Sequence, residues 1–190
     1  AGLGAVFGAL ALGVAEVAQS ERELGLLEAR LKATGHASGL TAGQLDAFAN
    51  SMINTAGASK GAILDAAGAL LPFRQIAGET FLRTIRLAQD MADSNEGVAR
   101  SAVMLARALT DPEKGLRGLR DIGISVNDTL IQQAQELHKA GREAEAYGLI
   151  LDAVDQRVGG SSAGRNDGIT GNFSRLAQNL ALLAEHFAEA

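Results

Sequence analysis

The chain has no cysteine and no tryptophan, two prolines, and only 4% aromatic residues in a length of 190. Without cysteine there is no disulfide and no thiolate metal site, a composition that fits synthesis in a reducing cytoplasm. With so few rings, the core has to be built from Ala, Leu, Ile and Val, whose small volumes suit closely packed helices better than a sheet. Two prolines leave long helical patterns uninterrupted. A basic excess is absent too: 17 Lys and Arg face 22 Asp and Glu, for a net charge of −5. No nucleic-acid surface is indicated, and no specific nucleic-acid binding is expected. Nor is there a long apolar run. Gly2–Ala15, GLGAVFGALALGVA, stops at Glu16, short of the roughly 20 residues needed to span a bilayer. No basic residue precedes it, as one would in a signal peptide.

Signatures of chemistry are equally absent. His36, His138 and His186 lie far apart, outside any HExxH or similar ligand spacing. His138 falls near a predicted helix C-terminus, where a cation meets the helix dipole favourably, and reads as a capping or solvated histidine. There is no GxSxG elbow. The glycine cluster GLGAVFG has no strand before it, and GGSSAGRNDG has no GK[ST] ending, so neither is a phosphate loop. DSNEG and GRNDG lack the alternating oxygen ligands of a calcium loop. Arg83, Arg86, Arg100, Arg107, Arg117 and Arg120 could form a strip across adjacent helices, but nearby Asp and Glu residues favour pairing within the chain. No catalytic, cofactor-binding or metal-binding residue is expected, and the chain is not expected to be an enzyme.

What is present is helical periodicity. Hydrophobic residues make up 47% of the chain, enough for a real core. Leu24, Leu27 and Leu31 recur at helical spacing within a helix ending near Ala33, after which Gly35 and Gly39 break the pattern. Thr41 with Gln44 reads as a capping box, opening a helix from Ala42 to about Asn54 with Leu45, Phe48, Ala49 and Met52 on one face. Ser59 caps Lys60–Leu71, which Pro72 ends. Phe73–Ala77 connects to a helix over about Glu79–Ala92, with Phe81, Ile85, Ala88 and Ala92 aligned. Ser94 or Asn95 is expected to cap Glu96–Leu109. Thr110 or Asp111 caps the next helix, with Pro112 in its first turn and Gly123 as its stop. Ile122–Val126 reads as an extended link packed on the helices. Asn127 caps a helix with Leu130, Ala134 and Leu137 on its stripe, stopped at Gly141. Arg142–Val158 comes next, with Tyr147, Ile150, Leu151, Val154 and Val158 on one face.

The expected fold is therefore all-α: a succession of short amphipathic helices in helical hairpins, with a longer N-terminal helix. Four stretches are expected. Residues 1–34 form a Gly- and Ala-rich helix for self-association, through the Gly4/Gly8 notch and the leucine stripe. Residues 40–160 form a helical domain. Residues 161–171 fall in the Gly- and Ser-rich run Gly159–Gly171, a flexible linker and hinge. Residues 172–190 form an amphipathic helix over Phe173, Leu176, Leu180, Leu183 and Phe187. For Gly2–Ala15, packing on a neighbour or sister chain, a membrane-active role and a cut end all stay open. The first residue is Ala, not Met, so the chain is expected to be a fragment or a processed form.

Two segments carry a resemblance. In TDPEKGLRGLRDIGISV, with the residue before it, these are Leu109, Asp111, Pro112, Lys114, Gly115, Leu116, Leu119 and Gly123. In AYGLILDAVDQRVGG they are Ile150, Leu151, Val158, Gly159 and Gly160. Together they resemble the conserved helical region of phage tail-length tape measure proteins, over roughly Leu40–Gly160 and best over Ala77–Gly160. The resemblance implies a structural segment of a long phage tail. Such a protein sets tail tube length during assembly and occupies the tube lumen of the virion until DNA ejection, after synthesis in the host cytoplasm. It implies as partners parallel copies of the chain itself, the tail tube protein, tail-tip or baseplate proteins and a tail assembly chaperone, with contact to the host envelope. Two other readings stand beside it: a helical adaptor or chaperone-binding module without a ruler role, and a membrane-perturbing module acting at genome entry. At about 1.5 Å per residue, 190 helical residues reach at most about 285 Å. The chain is thus expected to be one segment of a much longer ruler.

Overall fold

The computed structural model describes Arg22 and residues 24–162. All regular structure among them is helical. The first helix, α1, is described over 24–33. Then come α2 (Ala42–Ala56), α3 (Lys60–Leu70) and α4 (Gly78–Met91). A single 3-10 turn, Asn95–Gly97, leads into α5 (Val98–Thr110), and then α6 (Pro112–Asp121), α7 (Asp128–Lys139) and α8 (Glu143–Val158) complete the order. The expected N-terminal helix before residue 24, most of the linker and the last amphipathic helix lie outside the described residues.

Several helices start where a side chain can satisfy their free amides. Thr41 and Gln44 form the reciprocal capping box of α2. The Ser59 hydroxyl accepts from Ala62 N at the start of α3, and Asn127 Oδ1 accepts from Leu130 N at the start of α7. Stops are equally local. Gly35, Gly123 and Gly141 take positive φ of 67°, 93° and 70° at the ends of α1, α6 and α7, a conformation with no Cβ penalty only for glycine.

The helices pair through short connections. α2 packs on α3, α4 on α5, α5 on α6, and α7 on α8, the helical-hairpin arrangement expected of short loops. α5 is the hub, touching α3, α4, α6 and α8, while α4 also packs on α8. α1 joins the same body. Leu27 and Leu31 sit in the shared core, and the Arg30 guanidinium lies over Gly68 of α3 in the space a Cβ would take. One hydrophobic cluster runs from Leu27 to Val154. Its middle is Phe81, Ile85, Leu105, Leu109, Leu116 and Leu119, all fully buried. Alanines 66, 88, 102, 106, 108 and 134 are fully buried as well, so the scarcity of rings is made good by close helix approach.

Several local expectations shift. Neither Ser94 nor Asn95 caps α5 through its side chain. Instead Asn95 Oδ1 accepts from Ser59 N, spending the amide oxygen on the start of α3. On α7 the buried residues are Ile131 and Ala134, and Leu137 is half-buried, so the inward stripe is rotated by about one residue. In the link after α6, Val126 is buried and Ile124 half-buried, but Ile122 is 54% exposed. Of the leucine stripe expected to serve self-association, Leu27 and Leu31 are buried in the chain's own core and Leu24 packs against it. Of the expected linker only its head is described: residues 161–162 are helical and Ser162 is buried.

Candidate functional site

The segment carrying the resemblance is a sharp helix-to-helix corner. Asp111 ends α5 and caps α6 at once. Its N–H donates to Arg107 O, and its Oδ1 accepts from Lys114 N at 3.2 Å. Pro112 occupies the first position of α6, where its missing N–H costs nothing. Lys114 Nζ stands 3.4 Å from Asp111 Oδ2. The Asp111 carboxyl is held below its usual range, first by the Lys114 N–H donating to it, with the Lys114 and His138 charges adding and desolvation opposing.

Gly115 shows why a glycine stands here. A Cβ at this position would fall among backbone atoms of Arg107 and Ala108, so α5 and α6 meet main chain to main chain. Leu116 and Leu119 are fully buried beneath this contact. Gly123 closes the helix, donating its N–H to Arg120 O, and Ile124 N donates to Leu119 O at 3.0 Å. Every one of these residues shapes the corner.

Ion pairs brace the helices around it. Arg83 of α4 reaches Asp152 at 2.6 Å and Asp155 at 3.5 Å on α8. Arg120 of α6 meets Asp128 at the start of α7 at 2.9 Å, and Arg117 pairs with Glu113 within α6. Lys60 of α3 pairs with Asp46 of α2 at 3.1 Å, both largely shielded. Of the six arginines in the expected strip, Arg83, Arg117 and Arg120 are thus engaged inside the chain. Arg86, Arg100 and Arg107 are exposed on α4 and α5.

An open groove of about 570 Å³ lies along the α7–α8 hairpin, lined by the apolar Leu137, Ala140 and Leu149 and the polar Gln133, Glu136, Arg142 and Glu145. Its Arg142 and Glu145 form a two-point pair, Nε to Oε1 at 2.6 Å. Through that mutual hydrogen bond the arginine is raised and the glutamate lowered from their ordinary values, so both stay charged and neutralise each other. Nearby, Tyr147 is raised by burial and by the Glu143 charge. The histidines are not brought into a ligand set. His36 is exposed at the end of α1, His138 is half-buried on α7 with Nδ1 unpartnered, and His186 lies outside the described residues. Among the described residues no group of three His, Cys, Asp or Glu could hold a metal, and no helix is long and apolar enough to cross a membrane.

The geometry defines a helical packing module in which the distinctive residues build a corner between helices. The family model described as prophage tail length tape measure protein matches residues 1–138. The chain belongs to that family, a structural family of the phage tail concerned with tail length. No curated protein and no solved structure matches the chain. The match takes in the corner Asp111–Gly123 and begins at residue 1, so it includes the N-terminal 39 residues that the resemblance left aside. It ends at His138, so Ile150, Leu151, Val158, Gly159 and Gly160 lie beyond it.

Sequence reasoning missed two residues. Asp90, at the end of α4, holds Gly160 and Ser162. Asn95 reaches back to Ser59. Their partners stand dozens of positions away, and no local pattern announces them.

Proposed function

We propose that this chain is a segment of a tape measure protein that helps set tail tube length during assembly and occupies the tube lumen until DNA ejection. The observation that carries this reading is the family match over residues 1–138. The packed helical body, with its distinctive residues spent on shape, agrees with a structural role. Its proposed partners are parallel copies of itself, the tail tube protein, tail-tip or baseplate proteins and the assembly chaperone, with contact to the host envelope at infection. In this reading the block is a folded bead on a longer ruler. A body of this size is roughly 35–40 Å across, whereas the same residues as one continuous helix would reach about 200 Å.

The two lengths give the test. Residues 24–162 are removed in frame from the full gene in its phage, and tail lengths are measured by electron microscopy. The proposal expects intact tails shortened by about 40 Å; shortening near 200 Å would mean that the segment is extended in the tail. Full-length tails that no longer deliver DNA would favour the membrane-perturbing reading. Failure to assemble tails, rescued by supplying the segment separately, would favour the adaptor reading.

A further inference from the structure

Asp90 stands in the last turn of α4 and is only 6% exposed. A carboxylate there faces the negative end of the helix dipole, and burial of its charge is costly unless it is hydrogen-bonded. Three of its hydrogen bonds come from the turn just past the C-terminal end of α8. Oδ2 accepts from Gly160 N at 3.0 Å, and Oδ1 accepts from Ser162 N at 3.0 Å and from the Ser162 hydroxyl. Gly160 presents its amide with φ +76°, a conformation that strains other residues. Residues 161–162 are helical, and amides opening a helical turn have no carbonyl of their own to meet. Asp90 therefore satisfies these amides from another element. One face of α4 carries a second such tie: Arg83, two turns earlier, holds Asp152 and Asp155 in the last turns of α8. With a cation on carboxylates and then a carboxylate on amides, α4 grips α8 and the turn at residues 160–162 at successive levels.

We propose that the Asp90 carboxylate is a latch: it holds Gly160–Ser162 against α4 and keeps the C-terminal end of α8 from peeling away from α4. The folded unit then reaches at least Ser162, well past the last residue of the family match. The test is amide hydrogen exchange on the full 190-residue chain. In Asp90→Asn, one oxygen becomes an N–H donor facing backbone donors. Protection of the Gly160 and Ser162 amides is expected to fall at least tenfold, while amides of Leu105, Ala106 and Leu109 in α5 keep theirs. Ser162→Ala removes only the hydroxyl bond and should give a smaller loss at the same place. Unchanged protection at 160 and 162 in Asp90→Asn overturns the latch. Should that variant lose protection throughout, Ser162→Ala decides: a loss confined to 160–162 supports the latch, and no loss there overturns it.

Discussion

Gly115 and Gly118 sit one turn apart on α6 and differ in everything around them. A Cβ at Gly115 would enter the main chain of α5, while a Cβ at Gly118 would have nothing within 4 Å. Gly115→Ala should cost about 1–3 kcal/mol, because backbone cannot give way as a side-chain tip can. Gly118→Ala should be neutral or stabilise by about 0.5–1 kcal/mol, since alanine loses less entropy in a helix. Urea denaturation of both variants checks the pair, and equal effects would contradict the close approach. Beneath them Leu116 has no exposed surface. Leu116→Ala should cost about 2–5 kcal/mol, the transfer term plus the cavity left behind. An unchanged melting temperature would mean that this face is not packed.

At the level of single helices, the start of α6 turns on one carboxylate. Asp111→Ala removes the acceptor for Lys114 N and should cost about 1 kcal/mol. The Asp111 carboxyl is lowered in the fold from its ordinary 3.8. A depressed acid stabilises the fold above its unfolded value and loses that contribution as pH falls through the folded value. Stability conferred by this cap should therefore be level from neutral pH down to about 3.8 and decline below it. Asp111→Asn keeps a neutral acceptor at the cap, so thermal melts at about pH 7 and about pH 3 should show a smaller pH-dependent loss in the variant than in the original chain. An identical loss in both would remove Asp111 from the acid response.

For the molecule as a whole, the span matched by the family and the described body end at different places. The match stops at His138 in α7, but α8 packs on α4, α5 and α7 and contributes Ala146, Tyr147, Ile150, Leu151 and Val154 to the interior. A chain cut after residue 138 would bare the apolar surface those residues cover. It should bind a hydrophobic dye and lose its cooperative melt, while a chain cut after residue 162 should retain a single transition. Matching melts for the two truncations would show that α8 is dispensable. Far-ultraviolet circular dichroism of the full chain should be helical without a sheet contribution.

The sequence by itself determined where α2, α3, α6 and α7 begin and where α6 and α7 stop, and the reason is distance. Thr41 with Gln44, Ser59 with Ala62, Asp111 with Lys114 and Asn127 with Leu130 are all contacts across three residues, and a stop at Gly123 or Gly141 depends on one residue's own φ. Such features are written in adjacent letters, as is the ordered run from Leu109 to Gly123 that carries the family resemblance. Only the tertiary structure decided which face of α7 turns inward, because stripes through Leu130 and Ile131 have the same helical period and differ only in where the neighbouring helices stand. It alone decided that Leu27 and Leu31 are spent on the chain's own core, that Gly115 lies against Ala108, and that Asp90 closes on Gly160 and Ser162. Each of these depends on which surfaces meet once the helices are packed, and helical period alone does not specify those encounters.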